Sequence, residues 1–158
     1  MINNKFADEI NDLLVGTFWS ILKMEDEILK KIGHMDLSVR ETHLISTVGR
    51  KGGSKKTVSE LAHKLNITTP SVTSLVNKLV RKGYVERVRS TEDAREVYIL
   101  LTRYGRKMAS THAYFHERMV WDMSAEFTEE EKEILTRAFQ KLKDFFLRKC
   151  KELSKYEF

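Results

Sequence analysis

Residues 57–101 read "TVSELAHKLNITTPSVTSLVNKLVRKGYVERVRSTEDAREVYILL", and this stretch decides the fold. Thr57 and Glu60 form a Ser/Thr-x-x-Glu capping box, in which the hydroxyl accepts from an early helix N–H while the carboxylate reaches back. A helix therefore starts at Thr57, with Val58, Leu61, Ala62 and Leu65 on one face. Only "NITT" separates it from a second helix, which Thr69 is expected to cap and Pro70 to open, proline costing no hydrogen bond in the first turn. Val72, Leu75, Val76, Leu79 and Val80 give that helix one apolar stripe, and Gly83 stops it. So short a connection suits a helix-turn-helix, with Ala62 small at the crossing and Asn66 tolerant of left-handed backbone. Two short β-branched and aromatic runs, 84–89 and 96–101, then form a hairpin. Its tip, "RSTEDAR", has none of the glycines that tight hairpin turns require. A long, charged tip directly after a helix-turn-helix is a wing. The expected class is mainly α (α+β), a winged helix-turn-helix.

Working outward, two more capping boxes, "SVRE" at Ser38 and "TEEE" at Thr128, start helices on either side. Before Ser38, Phe6, Ile10, Leu13, Leu14, Phe18, Ile21, Leu22, Ile28, Leu29 and Ile32 recur at helical spacing, predicting one long helix that ends near Gly33. A helix over about 38–48 follows, then a basic break at "GRKGGSKK". Thr102 is expected to cap a helix through about Met123, and the last helix runs from Thr128 to about Leu153. The first and last helices, the latter with Phe139, Phe145 and Phe146, carry more apolar surface than one small winged helix can cover. That surplus points to a homodimer.

Composition removes several classes. A chain of 158 residues with 41% hydrophobic and 32% charged residues is one ordinary globular domain. Its single cysteine, Cys150, excludes an internal disulfide, no apolar run reaches membrane-spanning length, and the N-terminus lacks the order of a signal peptide; a cytoplasmic protein without membrane association is expected. Cys150 reads as a small hydrophobe rather than an oxidation sensor. No Gly-rich phosphate loop, nucleophile elbow or metalloprotease helix is present, so an enzyme is not expected, nor any cofactor. Net charge is +5, but residues 1–36 are net −3, residues 37–106 net +8, and residues 107–158 neutral. A positive middle between neutral or acidic flanks is the footprint of a double-stranded DNA contact.

The face of the 70–82 helix opposite its apolar stripe presents Ser71, Ser74, Asn77, Lys78 and Arg81, with Thr73 at its edge and no acid anywhere from 66 to 85. Together with Thr68, Thr69 and Pro70 at its start, all of these except Arg81 are the expected major-groove contacts, since hydroxyls and amides read base edges while cations hold phosphate or guanine, and Arg81 is expected on phosphate. Lys55, Lys56 and Thr57, and Arg87, Arg89, Ser90, Asp93 and Arg95 of the wing, are expected to hold backbone phosphate or enter the minor groove. Arg95 is the expected minor-groove residue, pre-oriented by Asp93. A winged helix used only for protein interaction would not need this basicity.

The segment from Thr57 to Gly105 resembles the multiple-antibiotic-resistance regulator (MarR) family of winged-helix repressors: Gly83, Asp93, Arg95, Leu101, Thr102 and Gly105 stand where that family has its Gly, Asp-x-Arg and Leu-Thr-x-x-Gly signature. Within it, "ERVRS", "HLISTVG" and "HAYFHERMV" are most similar to the branch that represses fatty-acid synthesis in Gram-positive bacteria. The resemblance implies an obligate homodimer, with residues 1–36 and 102–158 as a helical dimerisation region and 37–101 as the DNA-binding lobe. It also implies a palindromic operator with half-sites about 34–36 Å apart.

Family members take an effector between these regions, which the resemblance places here at Trp19, Leu22, His43, His112, Phe115 and His116, with Met24 and Met119 nearby. Each residue taken singly reads as ordinary core. The lining suits a hydrophobic small molecule or, for the fatty-acid branch, a long-chain acyl group on acyl carrier protein (acyl-ACP) acting as corepressor, for which Arg103, Arg106 and Lys107 offer a basic dock. A metal site is not expected: His112 and His116 form a lone pair four residues apart with no carboxylate ligand in the same motif.

Overall fold

A computed structural model describes residues 4–33, 36–50, 55–93 and 96–153. The element order is α1 (Asn4–Lys31), α2 (Val39–Gly49), β1 (Lys56–Thr57), α3 (Val58–Leu65), α4 (Thr69–Arg81), β2 (Val85–Arg89), β3 (Val97–Leu101), α5 (Arg103–Ser124) and α6 (Glu129–Leu153). The chain divides into two compact units, residues 1–113 and 114–158.

The capping boxes set the starts of the lobe's helices. Ser38 Oγ accepts from Glu41 N while the Glu41 carboxylate accepts from Ser38 N at 2.8 Å, and Thr57 and Glu60 repeat the arrangement at α3. Thr128 and Glu131 do the same at α6. At α4 the cap is Thr68, not Thr69: its hydroxyl accepts from Ser71 N, and proline falls within the first turn. Asn66 closes α3 in the left-handed region (φ 52°), and Gly83 turns the chain out of α4 at φ 76°. Both positions need a backbone that β-branched residues avoid.

β3 is the central strand of an antiparallel sheet in the order β1-β3-β2. Val85 faces Leu101 and Arg89 faces Val97, which fixes the hairpin register. The two-residue β1 pairs Lys56 with Ile99 and was not expected from the sequence, because two residues carry no alternation to read.

Leu44, Ile45, Leu61, Val72, Val76, Leu79, Ile99 and Met108 fill the core of the first unit. Burying side chains of this size contributes about 1.5–3 kcal/mol each. Gly105 sits where β3 hands over to α5, and a Cβ there would stand 2.0 Å from the Tyr84 carbonyl oxygen. Thr102 Oγ1, donating to Gly83 O at 2.6 Å and accepting from Gly105 N, locks the same corner. In contrast, no described residue of α6 is buried within one chain, and Phe6, Leu13, Phe18 and Trp19 of α1 lie more than half exposed.

Candidate functional site

Two arrangements on the first unit carry chemistry. The first is the outer face of α4 with the adjoining hairpin. Ser74, Asn77, Lys78 and Arg81 are all exposed, while Val72, Val76 and Leu79 pin the opposite stripe into the core. Thr69 and Pro70 are exposed at the helix start, and Thr73 is half-buried at the edge of the face. Thr68 and Ser71 share a hydroxyl–hydroxyl hydrogen bond of 2.9 Å, so both are engaged in building the helix N-terminus. Arg87, on the first wing strand, donates from Nη2 to Asn77 Oδ1 at 2.8 Å, tying wing to recognition helix.

The wing tip explains its missing glycines. Ser90 N donates to Glu96 O and Glu96 N to Asp93 O, both at 2.9 Å, and the Ser90 hydroxyl accepts from Glu92 N and Asp93 N. A serine side chain thus supplies the closure that a tight turn would draw from positive φ. Arg89 is exposed on the strand leading there. Arg95, with its expected orientation by Asp93, lies outside the described residues, as does the basic segment 51–54.

One expected phosphate contact is corrected. Lys56 is 2% exposed, and its Nζ donates to the carbonyls of Val48 at 2.8 Å and Arg50 at 3.2 Å. It holds the C-terminal end of α2, and burial, with Lys64 acting in the same direction, pulls its pKa below the ordinary lysine value. Alternating strand geometry turns Lys56 inward and leaves Lys55 outside, its Nζ 5.4 Å from the Tyr98 ring centre. Thr57 is likewise occupied as the cap of α3.

The second arrangement joins three helices. Glu25 of α1 is 3% exposed, and His43 Nε2 of α2 lies 3.0 and 3.1 Å from its carboxylate oxygens. His112 of α5 is 8% exposed, with Nε2 4.0 Å from Glu25 Oε1. The His43 and His112 rings stand edge to face at 5.2 Å. The ligand atoms of Glu25, His43 and His112 all lie within 4.8 Å of one another. A tetrahedral zinc ion with bonds of about 2.0–2.1 Å wants its donors about 3.3 Å apart. The Glu25–His43 pair already has that spacing, and the Glu25–His112 pair needs to close by under an ångström.

The carboxylate that the sequence seemed to lack therefore comes from a different helix. Glu25 was not among the expected site residues: it stands 18 residues from His43 and nothing local marks it. The remaining expected effector residues are distributed differently. Trp19 is 63% exposed beside Phe18, and Leu22 is half-buried. Phe115 and His116 belong to the second unit, their rings 5.3 Å apart, although His116 lies one helical turn after His112 on α5.

Comparison with known proteins places these features. The MarR family model matches residues 35–96, the stretch from just before α2 through the wing tip. The chain is similar to Streptococcus pneumoniae FabT, solved in complex with DNA, at 33% identity and a TM-score of 0.84 over 90% of this chain and 98% of that one. It is 29% identical over 140 residues to the transcriptional regulator AdcR of the same species, covering 84% of this chain and 92% of that protein. The HTH-type transcriptional regulator YhjH of Bacillus subtilis is 32% identical over 109 residues, which span 67% of this chain and 61% of the relative. None of the described helices is long and apolar enough to cross a membrane.

Proposed function

The chain belongs to the MarR family of DNA-binding transcriptional regulators, and from that premise we propose that it is a homodimeric repressor whose grip on a palindromic operator is set by a divalent transition-metal ion held by Glu25, His43 and His112. α4 enters the major groove with Ser74 and Asn77 at base edges, Lys78, Arg81 and Lys55 take phosphate, and the β2–β3 wing follows the adjacent minor groove with Arg87, Arg89 and Arg95. The acid-free outer face of α4 supports this half of the reading. The bare apolar faces of α1 and α6, with Phe139 and Trp19 more than half exposed, support the dimer, residues 1–36 and 102–158 forming its helical interface.

The observation that carries the effector is the convergence of one buried carboxylate and two imidazoles from three helices. Imidazole with carboxylate suits zinc and its neighbours rather than magnesium or calcium, which take oxygen donors. The cage ties α1 and α5 to α2, so an ion there restricts the range of angles between these helices. Restricting a site to its binding geometry in advance lowers the cost of ordering on DNA, and the metal therefore acts as corepressor.

A second reading, an acyl chain on acyl carrier protein as corepressor, is favoured by the likeness to FabT. The experiment that separates them selects bound genomic fragments with the purified dimer, then measures operator affinity by fluorescence anisotropy with chelator, zinc, acyl-loaded carrier or unloaded carrier. The metal reading expects zinc alone to raise affinity by at least tenfold. A response confined to the acyl-loaded carrier rejects it.

A further inference from the structure

We propose that Ser46 is the positioning residue of this cage, its hydroxyl holding His112 in the tautomer that presents Nε2 to a metal ion. The inference rests on the metal reading above and concerns how that site is set up. Ser46 and His43 are three residues apart on α2 and share one of its faces. From that face His43 reaches the Glu25 carboxylate, and Ser46 Oγ comes to 2.8 Å from His112 Nδ1.

A neutral imidazole has one N–H and one lone pair, on different nitrogens. When a divalent ion takes the lone pair of His112 Nε2, the ring's proton is on Nδ1, and Ser46 Oγ is the acceptor at hydrogen-bond distance. The opposite tautomer satisfies the same contact with the serine O–H donating to Nδ1, but then Nε2 carries the proton and offers nothing to an ion. A hydroxyl is both donor and acceptor, so it fits either state. Loading the site reverses the direction of this hydrogen bond without breaking it. His112 is 8% exposed, so a ring nitrogen deprived of Ser46 has little water to turn to, and an unsatisfied buried polar group is costly. Outer partners of ligating histidines of this kind are worth about 10–100-fold in metal affinity.

The test titrates zinc, against a competing chelator, into the metal-free wild-type dimer, Ser46→Ala and Ser46→Thr. Ser46→Ala is expected to bind zinc about 10–100-fold more weakly and Ser46→Thr to stay near wild type. Operator affinity in the metal-free state should be the same for all three, while Ser46→Ala should melt lower than the other two because its hydrogen bond to His112 Nδ1 is lost. Nitrogen-15 spectra of the zinc-loaded proteins should show the His112 proton on Nδ1, with that N–H shifted by hydrogen bonding in the wild type and Ser46→Thr but not in Ser46→Ala, a difference that a packing role for Ser46 would not produce. If the wild type binds zinc and Ser46→Ala binds it equally, or Ser46→Thr is as weak as Ser46→Ala, the positioning role is rejected and the cage stands. A proton found on Nε2 in the loaded wild type rejects it as well. A wild type that binds no zinc rejects the metal reading and this inference together.

Discussion

Lys82 Nζ lies 2.8 and 2.9 Å from the two carboxylate oxygens of Glu41 and also donates to the Asp36 carbonyl, so the residue that ends the recognition helix is bound to the first turn of α2. Glu41 is 4% exposed, and burial alone would raise its pKa; the hydrogen bonds from Lys82 and Ser38 outweigh burial and hold it below the ordinary carboxylate value.

A carboxylate with a depressed folded-state pKa contributes stability that is complete above its unfolded value, about 4.3, and is lost as pH falls through the folded value. Wild-type stability is therefore expected to drop below about pH 4–5. Lys82→Met, which leaves Glu41 buried with Ser38 as its remaining cap partner, should lower stability at pH 7 by about 1–3 kcal/mol and flatten that acid limb. Urea denaturation across pH reads both. A Lys82→Met limb as steep as wild type removes the ion pair from this account.

Gly105→Ala places a methyl group 2.0 Å from Tyr84 O, a backbone atom that cannot swing aside. The expected loss is at least about 2 kcal/mol in urea, with the β3–α5 corner opening first in hydrogen exchange. The adjacent Thr102→Val, which keeps the shape but loses the bonds to Gly83 O and from Gly105 N, should cost about half as much.

Lys56 and Lys78 separate structural from electrostatic cations. Lys78→Ala should lower operator affinity and reduce the slope of log affinity against log salt by about 1, the signature of one lost phosphate contact. Lys56→Met should leave that slope unchanged and instead reduce stability, since two carbonyls of the α2 terminus lose their donor. An unchanged slope in Lys78→Ala would take that side chain off the phosphates.

Glu25→Gln keeps the volume and a hydrogen-bond acceptor beside His43 but removes the charge a dication needs. Zinc affinity is expected to fall by more than about 100-fold, while operator affinity with chelator present stays at the wild-type level. Anisotropy titrations with and without zinc measure both. A zinc response that survives Glu25→Gln would exclude this carboxylate as a ligand.

What could be read from the sequence follows the range of the interactions. Capping boxes at Ser38, Thr57 and Thr128 are complete within four residues, and each occurs where expected. The Leu79 stripe and the Gly83 stop are equally local. One-residue errors arose where neighbours compete for one role, as Thr68 and Thr69 did for the α4 cap. Lys56 was misassigned because a lysine in a basic stretch reads as surface, and only the pairing of β1 with β3 turns it inward. The Glu25, His43 and His112 convergence was not visible because its members lie on three helices brought together by tertiary packing, with no shared motif to announce them. Arg95 remains, in this structure, a sequence expectation alone.

The two lysines that anchor α2 have a mechanical meaning. Lys82 grips the helix at Glu41 and Lys56 grips it at Val48 and Arg50, each cation or its carboxylate partner matching the sign of the backbone partial charge at that end. A rod clamped at both ends has little slack to absorb a push delivered to its middle. His43 and Ser46 lie in that middle. On the proposed metal reading, an ion drawn in by Glu25, His43 and His112 would therefore move α2 as one body, carrying the pull to Lys82 at the base of the recognition helix and to Lys56 at the edge of the sheet, with α2 as the crankshaft between them.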